Sequence, residues 1–63
     1  METLEVAEEY ADSPNWVGRE IHLTLKNGYE VRGIIEAGTP RTAVIIGAGL
    51  YFYAEAAKIE LGP

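Results

Sequence analysis

The chain has 63 residues, ten of them acidic and five basic, with no cysteine, one histidine and a formal net charge of −5. This length leaves no room for a second hydrophobic core, and the missing cysteines exclude disulfides and thiolate metal sites. The lone His22 has no companion cluster of ligand-type residues, so no metal or other cofactor is expected.

A domain this small buries only ~60% of the surface its unfolded chain exposes. Without disulfide or metal, oligomerisation is the remaining stabilising device. No apolar run approaches the ~20 residues of a membrane span, and residues 1–15 lack the basic-then-apolar pattern of a signal peptide. A cytoplasmic protein without membrane contact is the expectation. The charge is unevenly spread. Glu2, Glu5, Glu8, Glu9 and Asp12 have no basic neighbour within residues 1–12, whereas residues 13–63 carry five acids and five bases. A neutral body neither attracts nor strongly repels a phosphate backbone.

In chain order, residues 3–11 (TLEVAEEYA) predict a short amphipathic helix. Leu4, Ala7 and Ala11 form its stripe, flanked by Val6 and Tyr10, with Thr3 as N-cap. Asp12-Ser13-Pro14-Asn15 ends it, because a residue before proline is pushed out of the helical region. The expected organisation is therefore an acidic N-terminal helix over residues 1–13 and a five-stranded barrel over 14–63. Trp16 reads as a plug for the barrel end rather than a ligand platform. Ile21, Leu23 and Leu25 alternate with Glu20, His22, Thr24 and Lys26, the period of a half-buried strand. Asn27-Gly28 then signals a tight hairpin, with both turn positions at positive φ. A second strand is expected from Tyr29 to about Ala37, with Val31 and Ile35 on one face and Gly33 bending it. Gly38-Thr39-Pro40-Arg41 is a loop. Residues 42–47 (TAVIIG) look apolar enough to be covered on both faces. After the Gly47-Ala48-Gly49 turn, Leu50 to Tyr53 form an aromatic fourth strand, and Ala57 to Leu61 the fifth. The expected fold class is all-β with a short N-terminal helix: a small, strongly bent antiparallel barrel.

No constellation for catalysis appears. Ser13 is the only serine, and His22 lies on the polar face of its strand, where an exposed or interface histidine is expected rather than a general base. The chain is therefore expected not to be an enzyme.

A helix, then alternating residues Ile21 to Gly28, four residues, and Gly33-Ile34-Ile35 resembles the first motif of the Sm-like family. Phe52-Tyr53-Ala54-Glu55-Ala56-Ala57 is similar in length, and at its tyrosine, to the second motif of the Hfq-like RNA chaperones. SH3-like barrels share the hairpin and the bending glycine. The resemblance covers residues 4–61. It implies a homo-oligomeric ring, six or seven subunits in the family, in which the fourth strand of one subunit pairs with the fifth of the next. It also implies RNA binding. Where classical Sm proteins hold bases with an Asp and an Asn, this chain has Gly38 to Thr42. Where Hfq-like proteins carry Lys and His, it has Ala54 and Glu55. RNA contacts are accordingly expected from Thr39, Arg41, Thr42, Tyr53 and Lys58, with Tyr29 as further stacking surface. The expected subunit interface comprises Tyr51, Phe52, Tyr53 and Ile59. Tyr51 and Tyr53 should share a face opposite Leu50 and Phe52, one pair serving the core and the other the interface. The alternative is a protein-interaction module whose acidic helix contacts a basic partner.

Overall fold

A computed structural model describes all 63 residues. Six strands form one antiparallel sheet: β1 (Glu2–Leu4), β2 (Glu20–Leu25), β3 (Glu30–Gly38), β4 (Thr42–Ile45), β5 (Gly49–Phe52) and β6 (Ala56–Leu61). Their spatial order is β1-β6-β2-β3-β4-β5. Two single-turn 3₁₀ helices, Ser13–Trp16 and Tyr53–Glu55, complete the regular structure.

The N-terminal helix is not present. Residues 2–4 instead extend β6, pairing Glu2 with Leu61, Thr3 with Glu60 and Leu4 with Ile59. The physical reason is the weakness of an isolated short helix in water, against the ladder bonds and the seat for Leu4 that the sheet offers. Residues 5–12 run on as coil. Tyr10 donates its hydroxyl to the Glu5 carbonyl (2.5 Å) and receives the Ala7 N–H (2.9 Å), holding the segment in a loop.

Alternation along β2 and β3 turns Ile21, Leu23, Val31 and Ile35 into the core, as their spacing predicts. The hairpin differs in detail. Leu25 N–H bonds the Tyr29 carbonyl and Gly28 N–H bonds the Leu25 carbonyl, so Lys26–Gly28 form a three-residue loop. Only Gly28 has positive φ (88°). That combination is a turn followed by a left-handed glycine, rather than the two-residue turn that Asn-Gly suggests. Asn27 contributes its side chain, accepting the Tyr29 N–H at 2.9 Å.

Gly33 lets β3 lie against β4: a Cβ there would come within 2.6 Å of Ile45 Cγ2. A register shift in the β3–β4 pairing falls between Ile35 and Ala37.

One end of the core is covered by aromatic rings. Tyr10, Trp16 and Tyr53 lie 5.0–6.0 Å apart between centroids, mostly edge to face. Trp16 thus fills the plug position expected of it, at 8% exposure.

Candidate interaction edge

The sheet has two edges, and they differ chemically. The β1 edge is three residues long, carries Glu2 and is followed by Glu5. Charge and brevity are ordinary protections against unwanted strand pairing. The β5 edge has neither charge nor proline. Indeed residues 42–54 contain no charged side chain at all.

The backbone of β5 is aimed in a definite way. Tyr53 N–H donates to the Arg41 carbonyl at 3.0 Å, and β4 pairs with β5 in the register Thr42–Phe52, Ala43–Tyr51, Val44–Leu50, Ile45–Gly49. In an antiparallel pair, hydrogen-bonded positions alternate. Tyr51 and Gly49 therefore bond β4, while the N–H and C=O groups of Leu50 and Phe52 point to the open side.

Side chains alternate in the same strand. Tyr51 leans on the core, its hydroxyl donating to the Ala48 carbonyl at 3.0 Å. Leu50 and Phe52 face outward, each 53% exposed. Directly opposite residues share a face, so Val44 stands with Leu50, and Ala37 with Val44. Ile46 (57% exposed) and Ile34 (41%) extend the patch, joined by an Ile46 N–H to Ile34 carbonyl bond of 2.9 Å. The strand at 42–47 is thus covered on one face only, contrary to its all-apolar reading. No second layer lies over Ile46.

Of the expected interface residues, Phe52 lies on this patch and Tyr51 beside it. Tyr53 and Ile59 do not: both are fully buried core side chains. Their burial follows from the way the sheet curls around one core. Tyr53 leaves the strand in a 3₁₀ turn that rolls its ring under Tyr10 and Trp16, and Ile59 sits on the inward face of β6 between Leu4 and Leu23.

The same burial removes Tyr53 as a stacking surface for bases. Burial pushes its phenol above the ordinary tyrosine pKa. A hydrogen bond with the Ser13 hydroxyl partly opposes that rise, and Tyr10 adds to it.

Thr39, Arg41 and Thr42 do come together, in the β3–β4 loop. The Thr39 hydroxyl accepts N–H bonds from Arg41 (3.2 Å) and Thr42 (3.1 Å) and meets the Thr42 hydroxyl at 2.8 Å. Both hydroxyls are thereby engaged in holding the loop. Arg41 is paired with Glu9 at 2.6 Å, and Tyr10 N–H bonds the Pro40 carbonyl. The acidic segment thus packs on the loop expected to meet RNA. Lys58 lies elsewhere, opposite Thr24 on β6, 3.8 Å from Glu60.

His22 was expected to be exposed or at an interface. It is not exposed: its side chain is only 13% exposed, with Nε2 2.8 Å from Glu30 and Nδ1 3.2 Å from Glu60 and 3.4 Å from Arg32. It joins three strands in a polar cross-strand cluster. Nothing in local sequence marks this, because Glu60 is 38 residues away. Leu50 and Phe52 share the outward face that the sequence offers as core or interface, whereas the extension of the patch to Ile34 and Ile46 has no local signal beyond the charge-free run 42–54.

A cleft of about 340 Å³ opens between Tyr29–Arg32, the Gly47-Ala48 turn and Tyr51. One acid and one base line it, Glu30 and Arg32, so its charge selects neither sign of ligand. No cluster of three or more His, Asp or Glu side chains converges to hold a metal ion, and no helix is long and apolar enough to cross a membrane.

The family resemblance places a neighbour's fourth strand on the edge of the last strand. Here β1 already occupies that edge from Ile59 to Leu61. Compared with protein-family models, curated proteins and solved structures, the chain matches none.

Proposed function

We propose that this chain is an Sm-like or SH3-like β-module that works by assembly: it recruits an extended strand to the open edge of β5. One observation carries the reading. The edge is uncharged, its Leu50 and Phe52 backbone groups face outward, and the same two residues present half-exposed apolar side chains. Adding a strand there satisfies the backbone through ladder bonds and covers apolar surface at once. It also supplies the association that a 63-residue domain without disulfides needs.

Hydrogen exchange resolved to single amides tests this. The Leu50 and Phe52 amides should gain protection as chain concentration rises, while the already paired Tyr51 amide changes little. Fast exchange of Leu50 and Phe52 at every concentration, and with every added partner, would overturn the reading.

RNA binding is the second reading. It is favoured by one feature, the convergence of Arg41 with Thr39 and Thr42 in a single loop, where the Arg41 side chain is 69% exposed. In this reading the guanidinium exchanges Glu9 for a phosphate. A salt-dependent RNA titration tests it, with the Glu9 variant described in the Discussion.

A further inference from the structure

We infer that the strand received by β5 is the β5 of a second copy, in one register: Tyr51 opposite its own counterpart across a two-fold axis, and Leu50 opposite the partner's Phe52. This rests on the assembly reading above and names its partner.

The argument begins with which edges a second copy can offer. Its β6 edge is taken by β1 from Leu61 through Ile59, and the remaining three residues, Ala56 to Lys58, carry a lysine. Its β1 edge is three residues long, bears Glu2 and Thr3, and leads into Glu5. Only β5 offers an uncharged strand of matching length. A patch that pairs with itself makes an isologous contact, which closes at two subunits.

Charge permits the approach. Each chain carries a net −5, and like-charged molecules repel. Five of the acids lie in residues 1–12, and residues 42–54 have none. The two copies therefore meet along their one long uncharged stretch.

Parity then selects the register. Opposed residues of an antiparallel pair lie on the same face. Pairing Leu50 with Tyr51 would set an outward residue against an inward one, and is excluded. Pairing Leu50 with Phe52 keeps apolar outward side chains together and leaves Tyr51 against Tyr51 on the inner side. The backbone agrees independently. Leu50 and Phe52 are the two residues whose N–H and C=O groups face the open edge, so this register uses all of them in reciprocal bonds. Centring the pair on Leu50 instead would leave Phe52 opposite Ala48, beyond the end of the strand.

Cysteine cross-linking tests the register, since the chain has no cysteine of its own. Tyr51→Cys and Leu50→Cys variants are made separately and oxidised mildly, beside light scattering and amide exchange on the unmodified chain. A non-hydrogen-bonded antiparallel pair sets Cα atoms ~4.5 Å apart, within disulfide range, whereas Cα atoms beyond ~7 Å cannot bridge. The expected result is a two-chain mass, with Tyr51→Cys cross-linking about tenfold or more faster than Leu50→Cys, whose counterpart is displaced by two residues. Equal rates, or a mass other than two with Leu50 and Phe52 amides protected, would overturn this pairing and leave the assembly reading intact. A monomer with unprotected amides at every concentration would overturn both. Should Tyr51→Cys fail to fold, mixing Leu50→Cys with Phe52→Cys tests the same register, because that mixture should cross-link faster than either variant alone.

Discussion

The Tyr53 hydroxyl bonds the Ser13 hydroxyl at the aromatic-covered end of the core, 40 residues away along the chain, and both side chains are fully buried. This contact ties the 3₁₀ turn before β2 to the one before β6. Tyr53→Phe leaves the Ser13 hydroxyl buried without its partner. A loss of about 1–3 kcal/mol is expected in denaturant unfolding. Ser13→Ala should cost a similar amount, and the double variant less than the sum.

Alkaline unfolding should depend on the same tyrosine. Burial raises its pKa in the folded chain above the unfolded value near 10. The folded state therefore holds the proton more tightly. The resulting stability is intact below about pH 10 and is lost as pH rises through the folded value. Thermal melts between pH 8 and 12 should show a steeper fall for the unmodified chain than for Tyr53→Phe. Parallel curves would remove Tyr53 as the cause.

Gly38 lies against the backbone of Ser13, where an added Cβ would overlap the Ser13 carbonyl. Because backbone cannot swing aside as a side chain can, Gly38→Ala should destabilise by about 1–3 kcal/mol. An alanine at Gly38 that leaves the urea midpoint unchanged would show that the two segments part easily.

Lysine at the outer face of β5 should separate assembly from folding. Leu50 is half exposed, so Leu50→Lys should alter monomer stability by no more than about 0.5 kcal/mol. It should also hold the chain monomeric by light scattering, because a charge on an edge strand opposes strand addition.

Glu9 and Arg41 form an exposed pair, and such pairs contribute about 1 kcal/mol or less. Glu9→Gln should leave the melting temperature nearly unchanged. If the β3–β4 loop contacts RNA, it should tighten poly-U binding at low salt, and added salt should abolish the gain.

Removing residues 1–4 uncovers β6. A neighbour's β5 can then take the vacated edge, as the Sm-like arrangement requires. Light scattering should record species larger than the unmodified chain forms. An unchanged mass, with the truncated chain still folded by circular dichroism, would show that β6 does not accept a foreign strand.

The strands of the central meander were legible because their causes are local. Alternation placed Ile21, Leu23, Val31 and Ile35 in the core, and Gly33, expected to bend its strand, lies in close approach to Ile45. The N-terminal segment was not legible, because its helical spacing competes with a partner, β6, more than fifty residues away. Tyr53 was misplaced for a similar reason. Its alternation with Leu50 and Phe52 is real, yet the 3₁₀ turn that buries it is set by Tyr10, Ser13 and Trp16. The Leu50–Phe52 face was legible from alternation, but the Val44 and Ile46 part of the patch was hidden by a plain ambiguity, since an all-apolar run reads the same whether one face is covered or two. Arg41 was placed correctly in its loop, but its partner Glu9 came from a segment expected to be helical.

Under the proposed β5 pairing, the inequality of the two sheet edges sets the protein's valence. A chain with one receptive edge behaves as a monofunctional monomer: once two have joined, no reactive end remains and growth stops. The three residues of β1 are thus what separates a terminating unit from a propagating one. In the proposed pairing, loss of those three residues by proteolysis would turn a self-limiting pair into material able to grow from both ends.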